Sequence, residues 1–186
     1  MKELSLNVLD IAKNSVKAKA TLISIRLEET EETFTMTVCD DGCGMTEEIL
    51  RGVIDPFCTT RKTRKVGMGI PLLKMAAEQT GGNVSITSRH VDSFPDTHGT
   101  ELTALFYKNH IDFTPLGDIV STVTTLIQGS PEIDFEFLHT SDRFRVTLDT
   151  RQLREILGEE IPLSSPEIIQ WVAQYLGEQY ANLSNN

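Results

Sequence analysis

The chain has 186 residues and a net charge of −10, and it contains no apolar run near the roughly 18 residues that a membrane span requires. The length suits one domain, or one domain with a small appendage. The charge is uneven. Residues 1–109 carry 13 Lys and Arg against 15 Asp and Glu, whereas residues 110–186 carry 4 Arg against 12 acids, so a cationic face for nucleic acid is not expected.

In chain order, residues 2–18 read as a helix, with Leu4, Val8, Ile11 and Ser15 on one stripe and Leu9, Ala12 and Val16 beside it. "TLISIRLEE" and "TFTMTVCDDG" alternate as half-buried strands, joined by a turn in the acidic "ETEET". Thr46 is placed to cap a short helix through "EEILRGV". Residues 55–70 read as a loop. A helix then starts at Pro71, which suits a first helical position, and it ends at Gly81-Gly82. "NVSITSR" and "TELTALFYK" are strands.

A boundary is expected near "NHIDFTPLGD", separating residues 1–109 from residues 110–186. Beyond it come a helical stripe (Leu116, Ile119, Val120, Val123, Leu126 and Ile127), a hairpin turning at Ser141-Asp142, a short helix "RQLREILG", and a last helix entered at Ser164 or Ser165 and Pro166. The fold class expected is an α/β (α+β) two-layer sandwich with a mixed, mostly antiparallel sheet, followed by a small α-β-β-α-α segment that packs on the first part.

Three segments carry chemistry. Asp10 and Asn14 are four apart on one helix face, so a carboxylate and a carboxamide stand together. The pair suits a hard cation and a water or proton acceptor, although a solvated polar stripe has the same pattern. Lys17 lies three residues further on and could reach an anion. "CDDGCGM" follows directly from a strand, and its glycines permit close approach of a ligand to Asp40, although an acidic turn has the same composition. "KVGMG" delivers backbone N–H groups to a helix start, with Arg61, Lys62, Arg64 and Lys65 just before it, which favours an anion.

Taken together and in this order, the three segments resemble the GHKL superfamily of ATPases (gyrase, heat-shock chaperone, histidine kinase, mismatch repair). "LDIAKNSVKA" is similar to its N box, "DDGCGM" to its first glycine box, and "DPFCTTRKTRKVGMGIPLLK" with "EQTGGNVSITS…HGTEL" to the histidine-kinase wording of the later boxes. The resemblance covers residues 4 to about 107 and implies a Bergerat-type ATP-binding fold with ATP and Mg²⁺ as cofactors. It assigns Asn14 to the metal, Lys17 to phosphate and Asp40 to the adenine amino group. It places Gly42, Gly44 and Met45 at the purine, and Thr60, Arg61, Lys62, Gly67, Met68, Gly69 and Ile70 in the lid around the phosphates. Thr100 stands beside Asp40. Asp10 stands where histidine kinases commonly have Asn and where hydrolysing members and the anti-sigma-type serine kinases have Glu, so the resemblance implies either a general base toward water or a hydroxyl or a carboxylate that acts on the metal through its ligands.

None of the four histidines is followed by an acidic residue, so no self-phosphorylated histidine is expected. The reading is a stand-alone, histidine-kinase-like signalling kinase that phosphorylates Ser, Thr or His on a separate protein. The alternatives are a hydrolytic switch and a non-catalytic ATP sensor. Residues 110–186 would dock the partner or form a homodimer. Cys39, Cys43 and Cys58 match no common zinc spacing, and an odd count without a signal peptide implies reduced thiols, with redox sensing left open. The start "MKELSLNVLD" lacks the features of a signal peptide, so a cytoplasmic location and no membrane partner are expected.

Overall fold

A computed structural model describes residues 3–54, 68–158 and 160–182. In chain order these form α1 (Leu4–Lys17), β1 (Leu22–Glu29), β2 (Thr33–Asp40), α2 (Glu47–Ile54), α3 (Gly69–Gln79), β3 (Asn83–Arg89), β4 (Gly99–Tyr107), α4 (Ile119–Gly129), β5 (Asp134–Ser141), β6 (Arg145–Asp149), α5 (Thr150–Leu157) and α6 (Pro166–Ala181). The strands make one sheet in the order β3-β4-β2-β1-β5-β6. Every pairing is antiparallel except β1 with β5. This is the mixed two-layer arrangement that the alternating strands implied.

One face of the sheet is covered by helices. Ile23, Ile25 and Leu27 of β1, Phe34, Met36 and Val38 of β2, and Leu102, Ala104 and Phe106 of β4 are buried against Leu4, Val8, Ile11 and Ala12 of α1 and Leu73 and Ala77 of α3. The period of two in each strand puts every second side chain on this face, which is why the apolar residues alternate in sequence. The same core continues through Phe135 and Phe137 of β5, Val146 and Leu148 of β6, and Val172 and Leu176 of α6.

The segment after residue 109 therefore extends the sheet. β5 runs parallel to β1 over its full length, from Leu22↔Asp134 to Glu29↔Ser141. Ser24, on the outward face of β1, is nonetheless buried, because its hydroxyl donates to Glu136 Oε2 of β5 at 2.7 Å.

Two boundaries differ from expectation. α3 begins at Gly69, so Pro71 occupies its third position rather than its first. The helix tolerates this because N–H groups of the first turn have no intrahelical acceptor, and the first such bond is Leu72 N–H to Met68 O, 3.0 Å. α4 begins at Ile119, with Asp118 as its N-cap accepting from Ser121 N–H, and Leu116 packs on the core from outside the helix. Among the described residues no helix is long and apolar enough to cross a membrane.

Candidate functional site

α1 carries Asn14 and Ser15 along the rim and floor of a cavity whose other walls come from β2, β3, β4, α2, α3 and the segment between β2 and α2. Its lining includes Asn14, Ser15, Asp40, Gly44, Met45 and Thr100, with Ile11, Val38, Ile70 and Leu102 as apolar walls. Five separated stretches of sequence thus meet in one concavity. Its volume of about 230 Å³ lies below the roughly 300–1,000 Å³ of pockets for drug-sized ligands, so it encloses a base-sized fragment and leaves the rest of a larger ligand outside.

Asp40 ends β2 with its side chain on the helix face, one cross-strand neighbour away from Thr100 of β4. Ser15 Oγ donates to Asp40 Oδ2 at 2.5 Å, and Gly42 N–H donates to Asp40 Oδ1 at 2.9 Å. Each carboxylate oxygen is thereby fixed and keeps lone pairs for a ligand. Asp41 has a different task. It accepts from the backbone N–H groups of Thr21 and Leu22 and from the Thr21 hydroxyl, which closes the start of β1. Burial raises its carboxyl pKa, but these donors outweigh burial and hold it below the usual range.

The glycines here meet steric demands. Gly44 has φ +67°, and a Cβ there would stand 2.0 Å from Arg89 O. The backbone of the glycine segment lies directly against β3, held by Val91 N–H donating to Cys43 O (2.9 Å) and Met45 N–H donating to Ser88 Oγ (2.8 Å). On the other side His98 Nδ1 is 2.6 Å from Gly42 O. No alternative residue satisfies both the left-handed backbone and the close approach at position 44.

Of the residues expected at the site, Asn14, Asp40, Gly44, Met45, Ile70 and Thr100 line the cavity. Gly42 sits behind it and acts through its N–H on Asp40. Asp10 and Lys17 are exposed on the same face of α1 as Asn14, outside the cavity lining. Asp10 lies against the start of α3: a Cβ on Gly69 would be 3.6 Å from Asp10 Oδ2. Met68 is exposed beside it. Thr60, Arg61, Lys62 and Gly67, together with Cys58, Arg64 and Lys65, lie outside the described residues.

Ser15 and Ser88 were not anticipated. The signal for Ser15 was a hydroxyl at a buried stripe position, and for Ser88 a polar residue where Val84 and Ile86 predict another apolar one. Cys39 and Cys43 are free thiols. Burial pushes the Cys39 thiol pKa up, and the carboxylates of Glu101 and Asp40 push it further, so it resists ionisation.

Among the described residues no group of three or more His, Cys, Asp or Glu could hold a metal. The donors available are the carboxamide of Asn14 and the carboxylate of Asp10, one turn apart. Hard oxygen donors in such small number fit Mg²⁺, which keeps several waters and takes substrate phosphates as its remaining ligands.

Residues 2–110 match the family described as histidine kinase-, DNA gyrase B- and HSP90-like ATPases. The chain belongs to this family. Among curated proteins, 94 residues of this GHKL chain are 27% identical to the sensor protein KdpD of Clostridium acetobutylicum. A stretch of 98 residues is 32% identical to the tetrathionate sensor histidine kinase TtrS of Salmonella typhimurium. These matches cover 48% and 52% of this chain but only 10% and 16% of those proteins, so the likeness concerns one part of each relative. Among solved structures, the N-terminal domain of a DNA repair protein superposes with a TM-score of 0.55 at 16% identity, covering 86% of this chain and 58% of that one. The MutL ATPase domain of Aquifex aeolicus, complexed with ADP, gives 0.53 at 14%, covering 84% and 69%. Residues 2–110 alone could not supply such coverage, so the shared fold reaches well into the C-terminal segment.

Proposed function

We propose that this GHKL domain binds Mg-ATP in the described cavity and passes the γ-phosphate to a Ser, Thr or His on a separate protein, as a signalling kinase. The observation that carries the nucleotide assignment is the meeting of Asn14, Asp40 and Thr100 at one cavity. Asp40 offers a carboxylate, already oriented by Ser15 and Gly42, to an exocyclic amino group. The apolar walls Ile11, Ile70 and Leu102 suit the faces of a flat ring. Asn14 stands where the base end opens toward the exposed face of α1, so its carboxamide oxygen would hold Mg²⁺ at the phosphates. The ion would supply charge neutralisation there. Lys17, one turn along, would meet a phosphate oxygen, and the N-terminus of α3 at Gly69 and Ile70 favours negative charge.

The likeness to sensor histidine kinases supports phosphotransfer, and no histidine here is followed by an acidic residue, which points to an acceptor elsewhere. The acidic segment 110–186 supplies the surface for that partner. We place the protein in the cytoplasm, with ATP and protein as its ligands rather than nucleic acid.

A second reading, hydrolysis that drives a conformational switch, is favoured by one feature. Asp10 puts an exposed carboxylate one turn before Asn14 and against the start of α3, where a base could take a proton from water. Labelled ATP separates the two. Label transferred to protein from a lysate, with little free phosphate, supports the kinase. Free phosphate alone, reduced in Asp10→Asn with ATP binding unchanged, establishes the switch. Tight binding with neither product removes both.

A further inference from the structure

Ser88, Thr100 and Asp40 form a row across three strands, since Ser88 pairs with Thr100 and Thr100 with Asp40 in the β3-β4-β2 register. All three side chains are on the helix face, with Thr100 and Asp40 at the cavity and Ser88 behind Thr100. The contacts of Ser88 Oγ fix the proton order of the row. It accepts from Met45 N–H at 2.8 Å, it donates to Gly99 O at 3.1 Å, and it lies 2.8 Å from Thr100 Oγ1.

A serine hydroxyl has one proton and two lone pairs. Met45 N–H can only donate and therefore takes one lone pair. Gly99 O can only accept and therefore takes the proton. What remains on Ser88 is a single lone pair, so all three contacts are satisfied together only if Thr100 donates to Ser88. The Thr100 proton is then committed away from the cavity, and its oxygen faces the ligand as an acceptor. Asp40 is an acceptor as well, with Ser15 and Gly42 donating to it from behind. The polar end of the cavity is thereby acceptor-only.

We infer that Ser88 is a specificity-determining positioning residue: by holding the Thr100 hydroxyl proton it makes the cavity select a ring bearing an amino group over one bearing a carbonyl at the same place. This rests on the reading that a purine base sits at Asp40. Without Ser88, Thr100 could turn its proton into the cavity and donate to a carbonyl.

The test compares ATP with inosine triphosphate, which carries oxygen for the amino group at position 6 and a proton on the adjacent N1. Binding of both is measured by titration calorimetry to the full chain and to Ser88→Ala and Ser88→Thr. The expected result is a preference for ATP in the parent protein that falls about tenfold in Ser88→Ala, the size of one misplaced buried hydrogen bond, and is retained in Ser88→Thr. A ratio unchanged in Ser88→Ala, with both affinities lowered alike, shows a purely structural role and overturns the inference. If Ser88→Ala does not fold, Ser88→Cys, whose thiol is a weak partner, must show a smaller fall in the same ratio, and an unchanged ratio there overturns it equally. Failure of the parent chain to bind any adenine nucleotide would instead remove the underlying assignment of the site.

Discussion

Replacing Asp40 with Asn is the sharpest probe of the nucleotide site, because it changes charge and proton count while keeping shape. The carboxylate accepts from Gly42 N–H at 2.9 Å and from Ser15 Oγ at 2.5 Å. An asparagine can keep its oxygen on Gly42 N–H. Its NH₂ then faces Ser15, whose hydroxyl must turn from donor to acceptor, and the NH₂ also confronts the ligand's amino group. A charge-assisted hydrogen bond is worth about 1.5–3 kcal/mol, so ATP affinity should fall by a factor of about 10–150. Fold stability should change little, since both internal contacts can be re-made. Calorimetric titration with ATP, beside urea unfolding of the same variant, measures the two effects separately. An ATP affinity within about twofold of the parent, with the fold intact, would refute the placement of the base at Asp40.

Asn14→Ala removes the one carboxamide that lines the cavity among the described residues and should abolish the Mg²⁺-dependent part of ATP binding, read as the loss of any difference between titrations with Mg²⁺ and with EDTA. In Gly44→Ala the new Cβ would meet the Arg89 carbonyl at 2.0 Å. The glycine segment must leave β3, breaking the Cys43–Val91 and Met45–Ser88 hydrogen bonds, and the expected cost is about 2–4 kcal/mol in urea unfolding; a parent-like midpoint would contradict the close approach. Acid should weaken the fold through Glu29. Its contact with buried His139, at 3.0 Å, and then Lys108, at 2.8 Å, outweigh burial and hold its pKa at about 2 instead of 4.5. With the folded pKa depressed, this stabilisation is complete above about pH 4.5 and is lost as the pH falls toward 2. It amounts to about 1–2 kcal/mol after allowance for solvent screening at a partly exposed carboxylate. Glu29→Gln should therefore flatten that limb of the stability–pH curve, and an unaltered slope would reject the assignment.

The strands of the first 109 residues were legible because each has one buried or half-buried face, and period-two burial writes itself into the sequence. "NVSITSR" gave β3 to the residue. The cavity was legible through Asn14, Asp40 and Gly44, which the sequence reading set apart and the fold brings to one concavity. Sequence could not show which strand lies beside β1. Alternation reports the face of a strand and says nothing about its edges, so Ile23, Ile25 and Leu27 read the same with β5 alongside or with water. The roles of Ser15 and Ser88 were hidden for a related reason. A lone serine among apolar positions is compatible with packing, and only the register that aligns Ser88 with Thr100 and Asp40 reveals what it touches.

The parallel pairing of β1 with β5 makes a further demand on how the chain can be divided. Among the described residues, those after 109 supply 12 of the 28 buried apolar residues of the core, from Ile119 to Leu176. They also hold the helix that carries Asn14: Leu4 N–H and Ser5 N–H, at the start of α1, donate to Pro115 O and Leu116 O at 2.9 and 2.8 Å. Further along the sheet, Tyr180 of α6 meets buried His139 at 2.8 Å, and His139 in turn meets Glu29 of β1. Removing everything after Asn109 would open all eight residues of β1 to water along one edge and uncover Val8, Ile23 and Ile25. At about 1.5–3 kcal/mol for each large side chain left exposed, these three alone cost about 5–9 kcal/mol, comparable with the whole of the 5–15 kcal/mol by which a domain is usually stable. Residues 1–109 alone should therefore lack a cooperative urea transition and bind dyes that report exposed apolar surface. A sharp transition in that fragment, with ATP affinity equal to the full chain, would show that the family match marks an independent folding unit and that the second half of the sheet merely leans on it.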